Sequence, residues 1–135
     1  MPTEMMLEIV TPEGLVFKGV IDGVTIPGTD GEFGVLKGHA PLLGSVGIGT
    51  LSITRDNKKT FYAVNTGYVK VSPTNVTLLV ETAERADMID LRRAELARQR
   101  AEEKMGKLSR DAGEFEKTRV ALMRAITRIN TSGRK

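Results

Sequence analysis

The apolar pattern of this 135-residue chain changes period once, near residues 84–90, and that change limits the architectures open to it. Before it, short β-branched runs alternate with polar residues. Met6-Leu7-Glu8-Ile9-Val10 opens the series, and Thr11-Pro12-Glu13-Gly14 turns it into Leu15-Val16-Phe17. Gly23-Val24-Thr25-Ile26-Pro27 and Gly49-Thr50-Leu51-Ser52-Ile53-Thr54 follow, and Arg55-Asp56-Asn57-Lys58-Lys59 makes a charged hairpin tip before Phe61-Tyr62-Ala63-Val64. Gly67-Tyr68-Val69-Lys70-Val71 and Val76-Thr77-Leu78-Leu79-Val80 close the series around the turn Ser72-Pro73-Thr74-Asn75. Such runs, punctuated by Gly, Pro and Asn every ~8–12 residues, specify an antiparallel sandwich or barrel rather than βαβ units.

After the change the signals are helical. No proline follows Pro73, and Ala, Arg, Glu, Leu and Met dominate from Asp90 onward. Asp90 is a good N-cap for a helix from Leu91 to about Met105, with Gly106 at the C′ position. Asp111-Ala112-Gly113-Glu114 reads as a capping box that starts a second helix running to about Ile129. A connection of about seven residues between helices of similar length makes an antiparallel hairpin. The expected fold is therefore an all-β N-terminal antiparallel β-sandwich, residues 1–84, followed by a two-helix hairpin, residues 85–135. The hairpin's apolar seam is thin: Leu91, Ala94, Ala101, Met105 and Leu108 face Phe115, Leu122, Ala125, Ile126 and Ile129, and Arg98 interrupts the first stripe. Alanine buries little area at ~25 cal/mol per Å², so docked and undocked arrangements of the hairpin are expected to lie close in free energy.

Charge follows the same division. Residues 1–84 carry six Lys/Arg against nine Asp/Glu, a net of −3, and residues 85–135 carry fourteen against eight, a net of +6. Two modules with different partners are implied, the basic one suited to an acidic surface. There is no cysteine and one histidine, so disulfides, thiol nucleophiles and Cys or His-cluster metal sites are excluded. No apolar run approaches the ~18 residues of a membrane span, and Met1-Pro2-Thr3-Glu4 lacks the marks of a signal peptide. The expectation is a chain made and kept in the cytoplasm that reaches a membrane only through partners. Phe115 is the only aromatic residue after Tyr68, and acids interleave the cations, which disfavours nucleic acid. A membrane-lying helix would need bulky anchors that this alanine seam lacks.

Residues 27–43 hold four glycines and two prolines in seventeen positions. Gly28, Gly31, Gly34 and Gly38 offer places for positive φ or close approach, and Phe33, Val35 and Leu36 are apolar anchors between them. The arrangement Gly-x-x-Gly-x-x-Gly-Val-x-x-x-His-Ala-Pro-Leu ends in His39-Ala40-Pro41-Leu42. A glycine-rich corner of any sandwich would explain the glycines but not that tail. The pattern resembles the signature of the epsilon subunit of F-type ATP synthases, called delta in mitochondria. It is not a phosphate cradle, because a P-loop needs Gly-Lys-Ser/Thr opening a helix and Gly38 is followed by His39-Ala40-Pro41. His39, without a second histidine or any cysteine, is no catalyst, and no other residue set supports an enzyme.

A second motif, Ile89-Asp90-Leu91-Arg92-Arg93-Ala94, is similar to the (Ile/Leu)-Asp-x-x-Arg-Ala sequence that marks ATP binding in bacterial members of that family. Amides at a helix start favour anions, and arginines supply fork donors for phosphate. Arg93 and Arg100 are seven apart on one helix face, and Arg124 and Arg128 are four apart on the second helix. Glu84 matches the family's acidic position before the motif and could accept from an adenine amino group or a ribose hydroxyl. The alternative is that Asp90 simply caps the helix and the arginines meet solvent or a partner.

The resemblance runs the length of the chain, and it implies a non-catalytic rotor subunit that needs no cofactor. By carry-over, Phe33, Leu36, His39 and Leu42 face the gamma subunit, and Asp30, Gly31 and Glu32 approach the polar loops of the c-ring. The basic arm, with Arg119, Arg124 and Arg128, restrains ATP hydrolysis by lodging on an acidic segment of the beta subunits in the alpha/beta catalytic head. ATP enters as a regulatory ligand of Glu84, Ile89, Asp90, Arg93, Ala94, Arg100, Arg124 and Arg128. The implied location is peripheral, on the cytoplasmic side of the inner membrane. A free-standing nucleotide-sensing module is the rival reading, and copurification with gamma discriminates the two.

Overall fold

The computed structural model describes residues 4–134. Residues 1–3 and 135, which enter the ranges read from sequence, lie outside the described residues. Ten strands come first: β1 (Met5–Thr11), β2 (Gly14–Ile21), β3 (Gly23–Gly28), β4 (Gly31–Leu36), β5 (Leu42–Val46), β6 (Gly49–Arg55), β7 (Lys58–Val64), β8 (Gly67–Val71), β9 (Asn75–Val80) and β10 (Ala83–Arg85). A 3-10 turn over Ala86–Met88 leads to α1 (Leu91–Lys107) and α2 (Gly113–Ser132).

The strands pair in the order β10-β7-β6-β3-β5-β8-β9-β1-β2, with β4 hydrogen-bonded to β3 off that path. The path folds over so that β2 returns against β7 and β6, and Phe17 on β2 packs edge-on against Tyr62 on β7 with ring centroids 6.4 Å apart. Leu7, Ile9, Ile26, Leu51, Val69 and Leu78, each 0% exposed, come from strands along the whole path and form one core. Full burial of each such side chain contributes about 1.5–3 kcal/mol. The sandwich departs from all-antiparallel pairing at one place. β1 runs parallel to β9, with Leu7 opposite Val76 and Ile9 opposite Leu78. The β1–β2 hairpin docks as a unit, and its partner strand lies too far along the chain for any local pattern to show.

At the charged hairpin tip, Asp56 and Asn57 take φ of 52° and 64°, the conformation that matches a two-residue turn to strand twist. The amide of Asp56 donates to Asp22 Oδ2 at 2.8 Å. Of the four glycines in the 27–43 segment, only Gly31 and Gly38 use the left-handed region, at φ 125° and 77°.

The hairpin follows expectation at its start and departs from it at the bend. Asp90 caps α1, its Oδ1 accepting from the Arg93 amide at 3.1 Å. Gly106 is not a C′ residue. It lies inside α1, which continues to Lys107 and ends at an extended Leu108. Asp111 forms no capping box either. Its amide donates to Ser109 Oγ at 3.3 Å, and α2 starts after Ala112, which offers no side-chain cap. Glu114 and Glu116 in the first turn complement the helix dipole instead. The seam is as thin as its sequence: Ala94, Ala101, Thr118 and Ala125 are its buried residues between the helices, while Leu91 and Ile126 are exposed.

Candidate functional site

Two surfaces carry the residues singled out by the sequence. The first is the region around the β3–β4 hairpin. Asp30, Gly31 and Glu32 sit exposed at its tip. Phe33 and Val35 turn toward the core, and Leu36, three positions after Phe33, faces the opposite way and is 68% exposed. A single interface made of Phe33, Leu36, His39 and Leu42 is therefore not assembled on one strand face, because strand side chains alternate. Phe33 and Leu42 do meet, lining a cleft of about 500 Å³ with Asp30, Leu43 and Tyr68. His39 lies half-buried on the turn beyond β4, which is tied to the β8–β9 loop by a bond from the Gly38 amide to the Pro73 carbonyl at 3.2 Å. Its Nδ1 lies 2.7 Å from the Ala40 carbonyl oxygen. A carbonyl only accepts, so Nδ1 carries the proton and the ring serves the turn.

Residues not singled out from sequence dominate the neighbouring face. Register places Tyr68 opposite Leu79, Leu79 opposite Val10, and Val10 opposite Leu15. Tyr68, Leu79 and Leu15 are 63%, 53% and 56% exposed, and Leu43 nearby is 74% exposed. This is an apolar row across four strands that no other described residue covers, the kind of surface that marks a protein interface. The signal was available in the sequence as phase. Val69, Val71, Leu78 and Val80 claim the inward positions, so Tyr68 and Leu79 had to point out.

The second surface is where α2 meets the sandwich. The Arg128 guanidinium donates from Nε and Nη2 to the two oxygens of Glu84, at 2.8 and 3.2 Å. The pair forms one wall of a cleft of about 410 Å³, whose other walls include Ile48, Asn65, Thr82 and Arg124. With Glu84 matched to Arg128, Arg124 is left, among the described residues, as the cleft's uncompensated cation. The structure thus brings Glu84, Arg124 and Arg128 together. It does not bring the rest of the candidate nucleotide set to them. Ile89 and Ala94 are buried, at 7% and 0% exposure, and serve packing. Asp90 is occupied as a cap, and Arg93 is exposed at the start of α1. Arg100 lines a separate groove of about 350 Å³ between the helices, beside Lys104, Glu114 and Lys117.

Arg119 grips Glu116 on its own helix with bonds of 2.6–3.1 Å. That hydrogen-bonded pairing raises the guanidinium pKa and lowers that of the carboxyl. Among the described residues no group of three His, Asp or Glu could hold a metal ion, and no helix is long and apolar enough to cross a membrane.

Residues 4–86 match the model of the ATP synthase delta/epsilon chain β-sandwich domain, and residues 87–133 match that of its long alpha-helix domain. The chain belongs to the ATP synthase delta/epsilon family. The ATP synthase epsilon chain of Trichlorobacter lovleyi is 45% identical over 134 residues, covering 99% of this chain and 97% of that one. That of Desulforamulus reducens is 41% identical over 126 residues, covering 93% and 95%. A delta/epsilon-type fold also recurs in solved structures. A chain of the Euglena gracilis mitochondrial ATP synthase OSCP/F1/c-ring assembly superposes with a TM-score of 0.80 at 24% identity, over 91% of this chain and 78% of that one. A chain of the Tetrahymena thermophila central stalk/c-ring gives 0.66 at 15% identity, over 95% and 96%. Members of the delta/epsilon family are non-catalytic subunits of ATP synthase.

Proposed function

We propose that this chain works as a central-stalk subunit of a rotary ATP synthase, its sandwich joining gamma to the c-ring and its helical hairpin restraining ATP hydrolysis. The observation that carries the reading is the combination of a complete, separately cored sandwich with a basic hairpin that has almost no core of its own. A coupling element must hold its shape under torque, and the sandwich core supplies that. A regulatory arm must move, and the alanine seam keeps its docking weak enough to reverse with modest differential binding, about tenfold in population for each 1.4 kcal/mol.

In this reading the gamma subunit covers the apolar row of Tyr68, Leu79 and Leu15 together with Phe33 and Leu42, and Asp30, Gly31 and Glu32 meet the ring. The complex holds the chain peripherally, on the cytoplasmic side of the membrane. When extended, the arm with its net +6 lodges on an acidic segment of the catalytic head and blocks rotation in the hydrolysis direction. ATP favours the docked arm. Its phosphates are drawn to Arg124 in the cleft against α2, and recruitment of Arg93 and Arg100 requires the hairpin to close further than it does here.

Reconstitution of the assembled enzyme with and without residues after Asp90 tests the proposal. Hydrolysis at low ATP rises on removal of the arm while synthesis changes far less. Equal hydrolysis rates with and without it would refute the regulatory role, and failure of the chain to copurify with gamma would favour a free-standing nucleotide sensor.

A further inference from the structure

We propose that the last turns of α2 form a latch that sets how long the hairpin stays docked, with Thr131, Arg128 and Arg134 as its moving half and Thr50, Glu84 and Phe61 as its fixed half. The proposal rests on the reading that the hairpin exchanges between docked and extended states. It assigns to side chains a task that the thin seam between the helices does not perform.

Three contacts of different chemistry fall on three different strands. The Thr131 and Thr50 hydroxyls lie 2.7 Å apart, joining α2 to β6. The Arg128 fork reaches Glu84 on β10. The Arg134 guanidinium stacks 4.9 Å from the centre of the Phe61 ring on β7. The end of α2 is sealed against the sandwich: Thr131 is 0% and Ser132 4% exposed, and the Ser132 hydroxyl donates to the Ile129 carbonyl at 2.9 Å. The opposite end of the hairpin serves itself, with Lys104 paired to Glu114 across the bend at 2.7 Å.

Concentration at one helix end makes the contacts act together. Arg128 and Thr131 are three positions apart on a single rigid face, so a small rotation or lift of α2 breaks both. The hydroxyl pair is half-buried, with Thr131 fully covered and Thr50 at the rim, so loss of either hydroxyl removes a bond that water replaces poorly. The fork needs both guanidinium donors in the plane of the Glu84 carboxylate. A helix end held this way is either seated or released.

The absence of cysteine allows spin labels at Lys70→Cys and Glu103→Cys, both exposed positions, to report a single sandwich-to-α1 distance in the full chain without nucleotide. Thr131→Val raises the fraction at long distances about threefold or more, as expected for one lost hydrogen bond, and Glu84→Gln does the same. Thr131→Ser, which keeps the hydroxyl, restores the docked distance, and Arg128→Lys falls between. Wild-type distance distributions in Thr131→Val and Glu84→Gln, with unchanged far-UV circular dichroism, overturn the latch. Hydrolysis by the assembled enzyme separates this outcome from the fate of the regulatory reading. Latch variants lower hydrolysis, because they free an inhibitory arm. Longer distances with unaltered hydrolysis would support the latch and overturn the inhibitory arm. Unaltered distances alongside faster hydrolysis after arm removal would overturn the latch alone.

Discussion

Glu84 and Arg128, 44 residues apart, meet through two hydrogen bonds at the junction of sandwich and hairpin. Their side chains are 35% and 27% exposed, so the pair is neither a free surface bridge nor a desolvated one. A double-mutant cycle on Glu84→Ala and Arg128→Ala, read by thermal unfolding, should give a coupling of about 1 kcal/mol, the upper end for partly exposed pairs with fork geometry. Additive single effects would reduce the pair to a chance approach.

Gly67 is the position least able to accept a side chain. A Cβ built there would lie 1.9 Å from the Leu79 carbonyl oxygen and 2.7 Å from the Val80 Cα. Both obstacles are backbone of the paired strand, which cannot rotate away. Gly67→Ala should lower stability by about 3 kcal/mol, the range of severe overpacking, with a matching fall in the unfolding midpoint of the sandwich. Gly34→Ala, where nothing lies within 4 Å, is the matched control and should be nearly silent.

Capping and ligand binding can be separated at Asp90. Its Oδ1 caps α1, and loss of an N-cap costs about 1 kcal/mol. Asp90→Ala should reduce the stability of the hairpin, whereas Asp90→Asn, an equally good cap, should leave it intact. Calorimetric ATP titration of the Asn variant then tests whether the charge matters; affinity equal to wild type would make Asp90 a cap and nothing more.

Arg124 is the cation of the α2 cleft that Glu84 does not neutralise. If ATP occupies that cleft, Arg124→Ala should weaken binding roughly tenfold or more, the effect of a lost charge-assisted bond of 1.5–3 kcal/mol. Arg93→Ala should do the same only if the hairpin closes further around the nucleotide. Isothermal titration of both variants distinguishes a cleft-only site from one that spans both helices.

Acid should loosen the hairpin before the sandwich. A hydrogen bond from Lys104 holds the Glu114 carboxyl below its ordinary value of 4.5, and Arg119 does the same for Glu116. Carboxyls depressed in the folded state contribute stability above the unfolded value and lose it as pH falls through the folded one. Helicity followed by circular dichroism should therefore hold at neutral pH and decline modestly below about pH 4, and Lys104→Ala should blunt the decline.

Local chemistry was legible in the sequence, and pairing over distance was not. Alternation in Leu51-Ser52-Ile53 and Val69-Lys70-Val71 announced strands because each inward residue meets the core, and Asp90 announced a cap because its bond closes three residues away. The strand over Ala83–Arg85 gave no such sign: its three residues pair only with β7 and have no apolar phase. Gly106 and Asp111 carried the right chemistry for helix ends that the chain places elsewhere. Of the site, the sequence offered charges at helical spacing, but the matching of Arg128 to Glu84 depends on where α2 seats. The outward row of Tyr68 and Leu79 follows from strand phase, but phase alone does not set an exposed apolar residue apart from an ordinary surface one.

The parallel pairing of β1 with β9 bears on how the chain is made. Met6 stands opposite Asn75 and Val10 opposite Leu79, so the first strand synthesised waits for almost the last strand of the sandwich. Until then the β1–β2 hairpin emerges from the ribosome with Leu7 and Ile9 uncovered, a surface for chaperones and for aggregation. Once β9 is free the sandwich can close at once, without waiting for either helix to dock. Released chains truncated short of Val80 should be sticky, and released chains that end within α1 should already resist protease.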